Sequence, residues 1–166
     1  KLLGDEQEDT HLTHMGARML TASYAAPEQI LGGDVTVATD VFALGVVLFE
    51  LLTDTLPHDR EAATPYELGT RVEHETAERP SARVRRTRAR MAGAKRDRWV
   101  RRLRGDLDAI ATRALAHEPG RRYPSATALG SDLRRYLSSE PIEARIDSTG
   151  YRLRKFCTRH VVGVAA

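Results

Sequence analysis

The sequence predicts a mainly α fold packed around one buried central helix, and three observations carry that prediction. Residues 38–52 are apolar on every side, with Val41, Phe42, Leu44, Val46, Leu48 and Phe49 among them, and a helix without a wet face belongs at the centre of a fold. Two later segments repeat apolar residues at helical spacing: Leu107, Ile110, Ala111, Ala114 and Leu115, then Leu129, Leu133, Tyr136 and Leu137. No segment alternates apolar and polar residues over a length useful for a strand.

Taken in order, Lys1 to Ala22 is polar, rich in Thr, His and acid, and reads as an exposed loop. Pro27 opens a short helix through Glu28 to Leu31, because proline is tolerated in a first turn, and Gly32-Gly33 ends it. The central helix follows. It carries Asp40 and Glu50, and a carboxylate taken out of water needs donors or a cation, so Asp40 calls for a partner outside its own helix. A weaker helix is predicted from Thr64 to Val72, closed by Pro80-Ser81. Asp106 is the expected N-cap of the helix that Glu118-Pro119-Gly120 stops, and Ser125 that of the last helix, which Pro141 follows.

At 166 residues, 41% hydrophobic and 30% charged, the chain has room for one domain with tails, and its net charge of +3 names no partner. The single cysteine, Cys157, excludes an internal disulfide framework and fits a reducing compartment. His11 and His14 lack a third ligand at metal spacing and read as solvated loop residues. The basic stretch from Arg83 to Arg104 holds one aromatic, Trp99. Stacking readers of nucleic acid interleave several, so no nucleic acid is expected, and the stretch reads as a solvated insertion.

Three blocks then carry a family resemblance. Thr21-Ala22-Ser23-Tyr24-Ala25-Ala26-Pro27-Glu28, Asp40-Val41-Phe42-Ala43-Leu44-Gly45, and Glu118-Pro119-Gly120-Arg121-Arg122-Tyr123 stand in this order. Together they resemble the C-terminal lobe of bacterial-type, eukaryotic-like serine/threonine protein kinases. The resemblance covers residues 1–137 as a partial kinase domain: activation segment 1–28, helical lobe 29–137, and the basic insertion around 83–104. It implies a kinase-like C-lobe in which Glu28 pairs with Arg122, while Asp40 accepts hydrogen bonds from the catalytic-loop backbone and Gly45 is structural. Thr21 would support the catalytic loop and, with Tyr24, position substrate. Thr10 and Thr13 lie where the family's activation loop is phosphorylated, with Arg18 as a local partner for a phosphate. Asp54 stands where relatives carry glycine, which predicts a different turn after the central helix.

The glycine-rich loop, the Lys–Glu pair, the His-Arg-Asp loop and the Asp-Phe-Gly metal site of this family are not in the sequence. The N-terminal lobe and catalytic loop are therefore expected upstream of Lys1. The resemblance makes the parent an ATP- and magnesium-dependent transferase acting on protein substrates. The fragment alone is expected to bind neither ATP nor magnesium, to be inactive, and to self-associate through apolar surface that the missing lobe would cover. A second reading is a non-catalytic binding or regulatory module that docks a protein partner. After the lobe, residues 138–160 read as a basic juxtamembrane-like tail and 161–166 as the start of a truncated transmembrane helix, which places the parent in the cytoplasm at the inner face of the plasma membrane. The other reading of the tail is an amphipathic final helix packing Leu153, Phe156 and Val161 on the lobe.

Overall fold

The computed structural model describes residues 23–58, 76–87 and 93–145, together with Gly150, Tyr151, Lys155 and Cys157. Six helices lie in this part: α1 Pro27–Leu31, α2 Val37–Thr53, α3 Pro80–Thr87, α4 Gly93–Leu103, α5 Asp106–Ala114 and α6 Ala126–Leu137. Short 3-10 turns span Pro119–Arg121 and Glu143–Arg145, and no strand occurs among the described residues. The expected loop over 1–22 and helix over Thr64 to Val72 lie outside the described residues.

Local chemistry sets the helix ends. The Ala26 N–H donates to Gln29 Oε1 at 2.9 Å at the start of α1, and Gly32 ends that helix at φ 77°. At α2 the Thr36 hydroxyl accepts from the Ala38 N–H, while Thr39 Oγ1 reaches back to the Thr36 N–H at 3.1 Å. Asp54 does not force a different turn: it takes the left-handed conformation itself, φ 56°, and its N–H donates to Glu50 O at 2.7 Å. Aspartate tolerates that region better than most side chains. Ser125 caps α6, accepting from the Ala128 N–H at 3.1 Å. The far end of α6 closes with Ser139 at φ 58° and with the Ser139 and Glu140 N–H groups donating to Tyr136 O and Arg135 O. Those two bonds are the pattern a glycine usually supports. Ser139→Gly is therefore expected to stabilise the chain by about 0.5–1 kcal/mol, read as a raised urea midpoint; an unchanged midpoint would contradict it.

α2 feeds the whole core. Phe42, Val46 and Phe49 pack with Ala26, Leu56 and Leu115, whereas Val41 joins Ile110, Tyr123, Leu129 and Ile142 on the other flank. At Gly45 a Cβ would stand 2.9 Å from Ala114 Cβ, so α2 and α5 approach as closely as they do only because no side chain intervenes. The expectation of burial on every side needs correction. Val37, Asp40, Leu44, Val47 and Leu51 form one outward stripe, with Leu51 74% exposed. Apolarity says which surface seeks cover, and no element among the described residues supplies cover for this one. Leu137 is also open, at 79%, because it closes the last turn of α6 beyond the edge of the core.

The basic stretch is only partly solvated. It forms α3 and α4, which pack on each other and bury Val84, Val100 and Leu103 with Leu107. Trp99 donates its indole N–H to Leu52 O at 3.0 Å, tying α4 to the end of α2. Asp108 caps α3 across 27 residues, accepting from the Ser81 N–H at 2.9 Å and the Ser81 hydroxyl at 2.6 Å. Buried Arg83 donates to Glu78 at 2.8 Å and to Pro57 O at 2.7 Å, so its charge is compensated.

The packed unit also runs past residue 137. Ile142 and Tyr151 are buried, and the Ile142 N–H donates to the Tyr151 hydroxyl at 3.2 Å. Asp106 is not an N-cap. Gly105, at φ 106°, holds that position, and Asp106, first in α5, accepts from Arg145 Nη1 at 2.9 Å and Lys155 Nζ at 2.7 Å. A side chain at 105 would be strained by that φ, and its Cβ would displace the Arg145 guanidinium, whose Nη1 lies 2.9 Å from where the Cβ would stand. Among the described residues no helix is long and apolar enough to cross a membrane. Leu153, Phe156 and residues 161–166 fall outside the described residues.

Candidate functional site

The most elaborately bonded group in the described part of the chain is the guanidinium of Arg122. Its side chain is fully buried, and Glu28, 11% exposed, faces it. Nη1 donates to Glu28 Oε1 at 2.7 Å and to Ala38 O at 2.9 Å, and Nη2 donates to Glu28 Oε2 at 2.9 Å and to His117 O at 2.8 Å. Nε donates to Ala116 O at 2.7 Å. All five N–H groups of the fork are thus used, and the Phe42 ring lies 4.9 Å below the guanidinium carbon. The bidentate pair joins positions 94 residues apart. It locks the entry of α1, the first turn of α2 and the turn after α5 into one arrangement.

Thr39, which the sequence reasoning did not single out, completes the anchor by donating its hydroxyl to Glu28 Oε1 at 2.9 Å. Burial pushes the Glu28 carboxyl up, but hydrogen bonds from Arg122, its own backbone and Thr39, with the Arg122 charge, hold it below its ordinary value. The carboxylate is therefore ionised at neutral pH. The arrangement is architectural: no described side chain near it is placed as a nucleophile or a base.

A second polar contact fixes the segment just before α1. The Tyr24 hydroxyl donates to Glu50 Oε2, which gives the Glu50 carboxylate the partner its place on α2 demanded. Tyr24 also packs on the Phe42–Val46–Phe49 cluster. Asp40 differs. It is exposed, and no hydrogen bond or ion pair reaches it from the described residues, so the partner expected from its supposed burial is not among them. It stands on the same open stripe as Leu44, Val47 and Leu51. Thr10, Thr13 and Thr21 lie outside the described residues.

Asp132 escaped the sequence reasoning as well. Fully buried, it accepts from the Tyr123 hydroxyl at 2.8 Å, the Glu143 N–H at 2.7 Å, the Ala144 N–H at 3.0 Å and Arg135 Nη1 at 3.1 Å. Its only sequence signal was a carboxylate on a helix beside Leu129 and Leu133. Among the described residues no three of His, Cys, Asp and Glu converge as metal ligands.

Comparison with known proteins agrees with this architecture. The family model described as protein tyrosine and serine/threonine kinase matches residues 2–98, a span that includes Glu28, Asp40 and Gly45 and stops short of Arg122. The serine/threonine-protein kinase PrkC of Bacillus subtilis is 31% identical over 136 residues, which is 82% of this chain and 18% of that protein. PknB of Mycobacterium tuberculosis is 34% identical over 133 residues, 80% of this chain and 18% of the relative. The pkn3 kinase of Myxococcus xanthus is 29% identical over 147 residues, 85% of this chain and 24% of the relative. The chain spans less than a quarter of the length of each of these three relatives. With more than half of its length inside the family model, the chain belongs to the protein tyrosine and serine/threonine kinase family.

Proposed function

We propose that this chain is the scaffold, activation segment and substrate-positioning part of a serine/threonine protein kinase whose whole transfers the ATP γ-phosphate to protein Ser and Thr hydroxyls. The observation that carries the reading is the saturated Glu28–Arg122 anchor, which fixes the segment following Thr21 and Tyr24 to the helical lobe. On this reading Thr21 supports the catalytic loop, Tyr24 helps hold the substrate-facing segment, and Thr10 and Thr13 are the activation-loop phosphorylation sites. ATP and magnesium belong to the upstream half, and the stripe of Asp40, Leu44, Val47 and Leu51 is where that half packs. The parent sits at the inner face of the plasma membrane, anchored through the tail beyond the lobe.

The test is phosphate transfer from labelled ATP to a generic protein substrate by the product of the full reading frame, with mass spectrometry of Thr10 and Thr13. Transfer by the whole and none by residues 1–166 alone is the expected result. A full-length product that transfers nothing would favour the non-catalytic docking module. The uncovered stripe also makes a separate prediction: residues 1–166 alone should self-associate in sedimentation, and L44K/L51K should shift the distribution toward monomer. A wild-type chain that sediments as a monomer would remove that expectation.

A further inference from the structure

The outward face of α4 is a dense, uncompensated field of positive charge. Lys95, Arg98, Arg101 and Arg102, with Arg104 just past the end of the helix, are all exposed, and none of their side chains has an ion pair or hydrogen bond among the described residues. The opposite side of the helix is committed to the core through Trp99, Val100 and Leu103. Lys95, Arg98 and Arg102 stand at i, i+3 and i+7, one stripe about 10 Å long at the helical rise. Asp97, the only acid in α4, lies on the other flank with Arg101 and Arg104. On neighbouring α3, Arg85 adds a further exposed cation.

Shape and chemistry decide what such a face binds. It is the convex side of a helix, and no residue of α4 lines the cleft of about 370 Å³ between α2 and α3, so among the described residues that cleft offers these cations no groove to hold a peptide in register. The one aromatic, Trp99, has its indole N–H tied to Leu52 O and is not offered for base stacking. What remains is long, flexible cations spread over a half-cylinder, able to reach a plane from both flanks. Attraction of that kind needs charge density and no shape complementarity. The described part of the tail lies at the same corner: Lys155 bonds Asp106 at the start of α5 and stands 5.9 Å from the Tyr136 ring, which packs on the cluster of Val84, Val100, Leu103 and Leu107.

We propose that the outward face of α4 docks on an anionic membrane surface through lipid phosphate headgroups, with Lys95, Arg98 and Arg102 as the main contacts. The proposal rests on the charge and packing of α4 and stands or falls independently of the kinase reading. Flotation of the full chain with phosphatidylcholine vesicles, with and without phosphatidylglycerol, tests it. Binding is expected only with the anionic lipid, and it should weaken as salt rises. K95S/R98S/R102S should lower the partition coefficient on the order of 100-fold, while R98K/R102K retains binding because point charge suffices. R121S/R134S, which removes exposed charge from other elements, should bind like the wild type; circular dichroism checks that each variant is folded. Equal binding to neutral vesicles, a triple variant that binds normally, or loss of binding in R121S/R134S as large as in the triple variant would each overturn the proposal. So would tighter capture by soluble polyglutamate than by anionic vesicles, which would make the partner an acidic polypeptide.

Discussion

Arg122→Ala is expected to destabilise the chain by about 3–5 kcal/mol, the range for breaking a buried ion pair from one side. The loss has three parts in the structure. Glu28 keeps its charge in a site that is only 11% open, the carbonyls of Ala38, Ala116 and His117 lose their donors, and Phe42 loses the cation stacked on its ring. A whole domain is stable by only about 5–15 kcal/mol, so the variant should sit near its unfolding limit, read as a collapse of the urea midpoint. Arg122→Lys should recover little, since an ammonium cannot reproduce a fork that serves a carboxylate and three carbonyls at once. Glu28→Ala should cost a comparable amount, and the double variant less than the sum, because each single change strands the same partner. An Arg122→Ala midpoint within about 1 kcal/mol of wild type would show that the anchor is ornamental.

Much of the architecture was legible because it depends on periodicity and on endings. The apolar run over residues 38–52 became α2, and the punctuation at Gly32, Ser125 and Pro141 marks real boundaries. The resemblance that the three motif blocks carry implied the pairing of Glu28 with Arg122, and the fold brings the two side chains together. What stayed hidden involves partners rather than patterns. An apolar surface states that cover is wanted, never whether it is present, so the run over 38–52 did not by itself mark Asp40 and the stripe through Leu51 as the side left open. Val84, Val100 and Leu103 were masked by the arginines around them, although Val100 and Leu103 keep a helical i, i+3 spacing with Trp99 beside them. Charge counts read such a segment as surface, while packing depends on which side of the helix the few apolar residues share.

The deepest omission, Asp132, leads to the second large effect. Four donors from three different segments converge on its carboxylate, and no local motif announces a site assembled from a helix, a turn and a tail. Asp132→Ala should cost about 3 kcal/mol or more, because it leaves the buried Tyr123 hydroxyl and the Glu143 and Ala144 N–H groups without their acceptor. The damage should be local as well as global. Ile142 is held in the core by the same turn, so hydrogen exchange at Glu143 and Ala144 should quicken before the rest of α6 opens. Unchanged protection at those two amides would refute the tail's dependence on Asp132. The pH dependence gives an independent reading. Burial pushes Asp132 up, yet the Glu143 and Ala144 N–H groups, Tyr123 and Arg135 together hold its carboxyl below the ordinary 3.8, as Glu28 is held below 4.5. A carboxyl whose pKa is lower folded than unfolded contributes stability that is complete above the unfolded value and is lost as pH falls through the folded one. Stability should therefore be insensitive to these two groups near neutrality and decline below about pH 4.5. Asp132→Asn, which keeps the shape and one acceptor oxygen, should start from a lower neutral stability and show a shallower acid decline. An acid limb as steep as the wild type's would mean that Glu28 and other carboxylates carry it without Asp132.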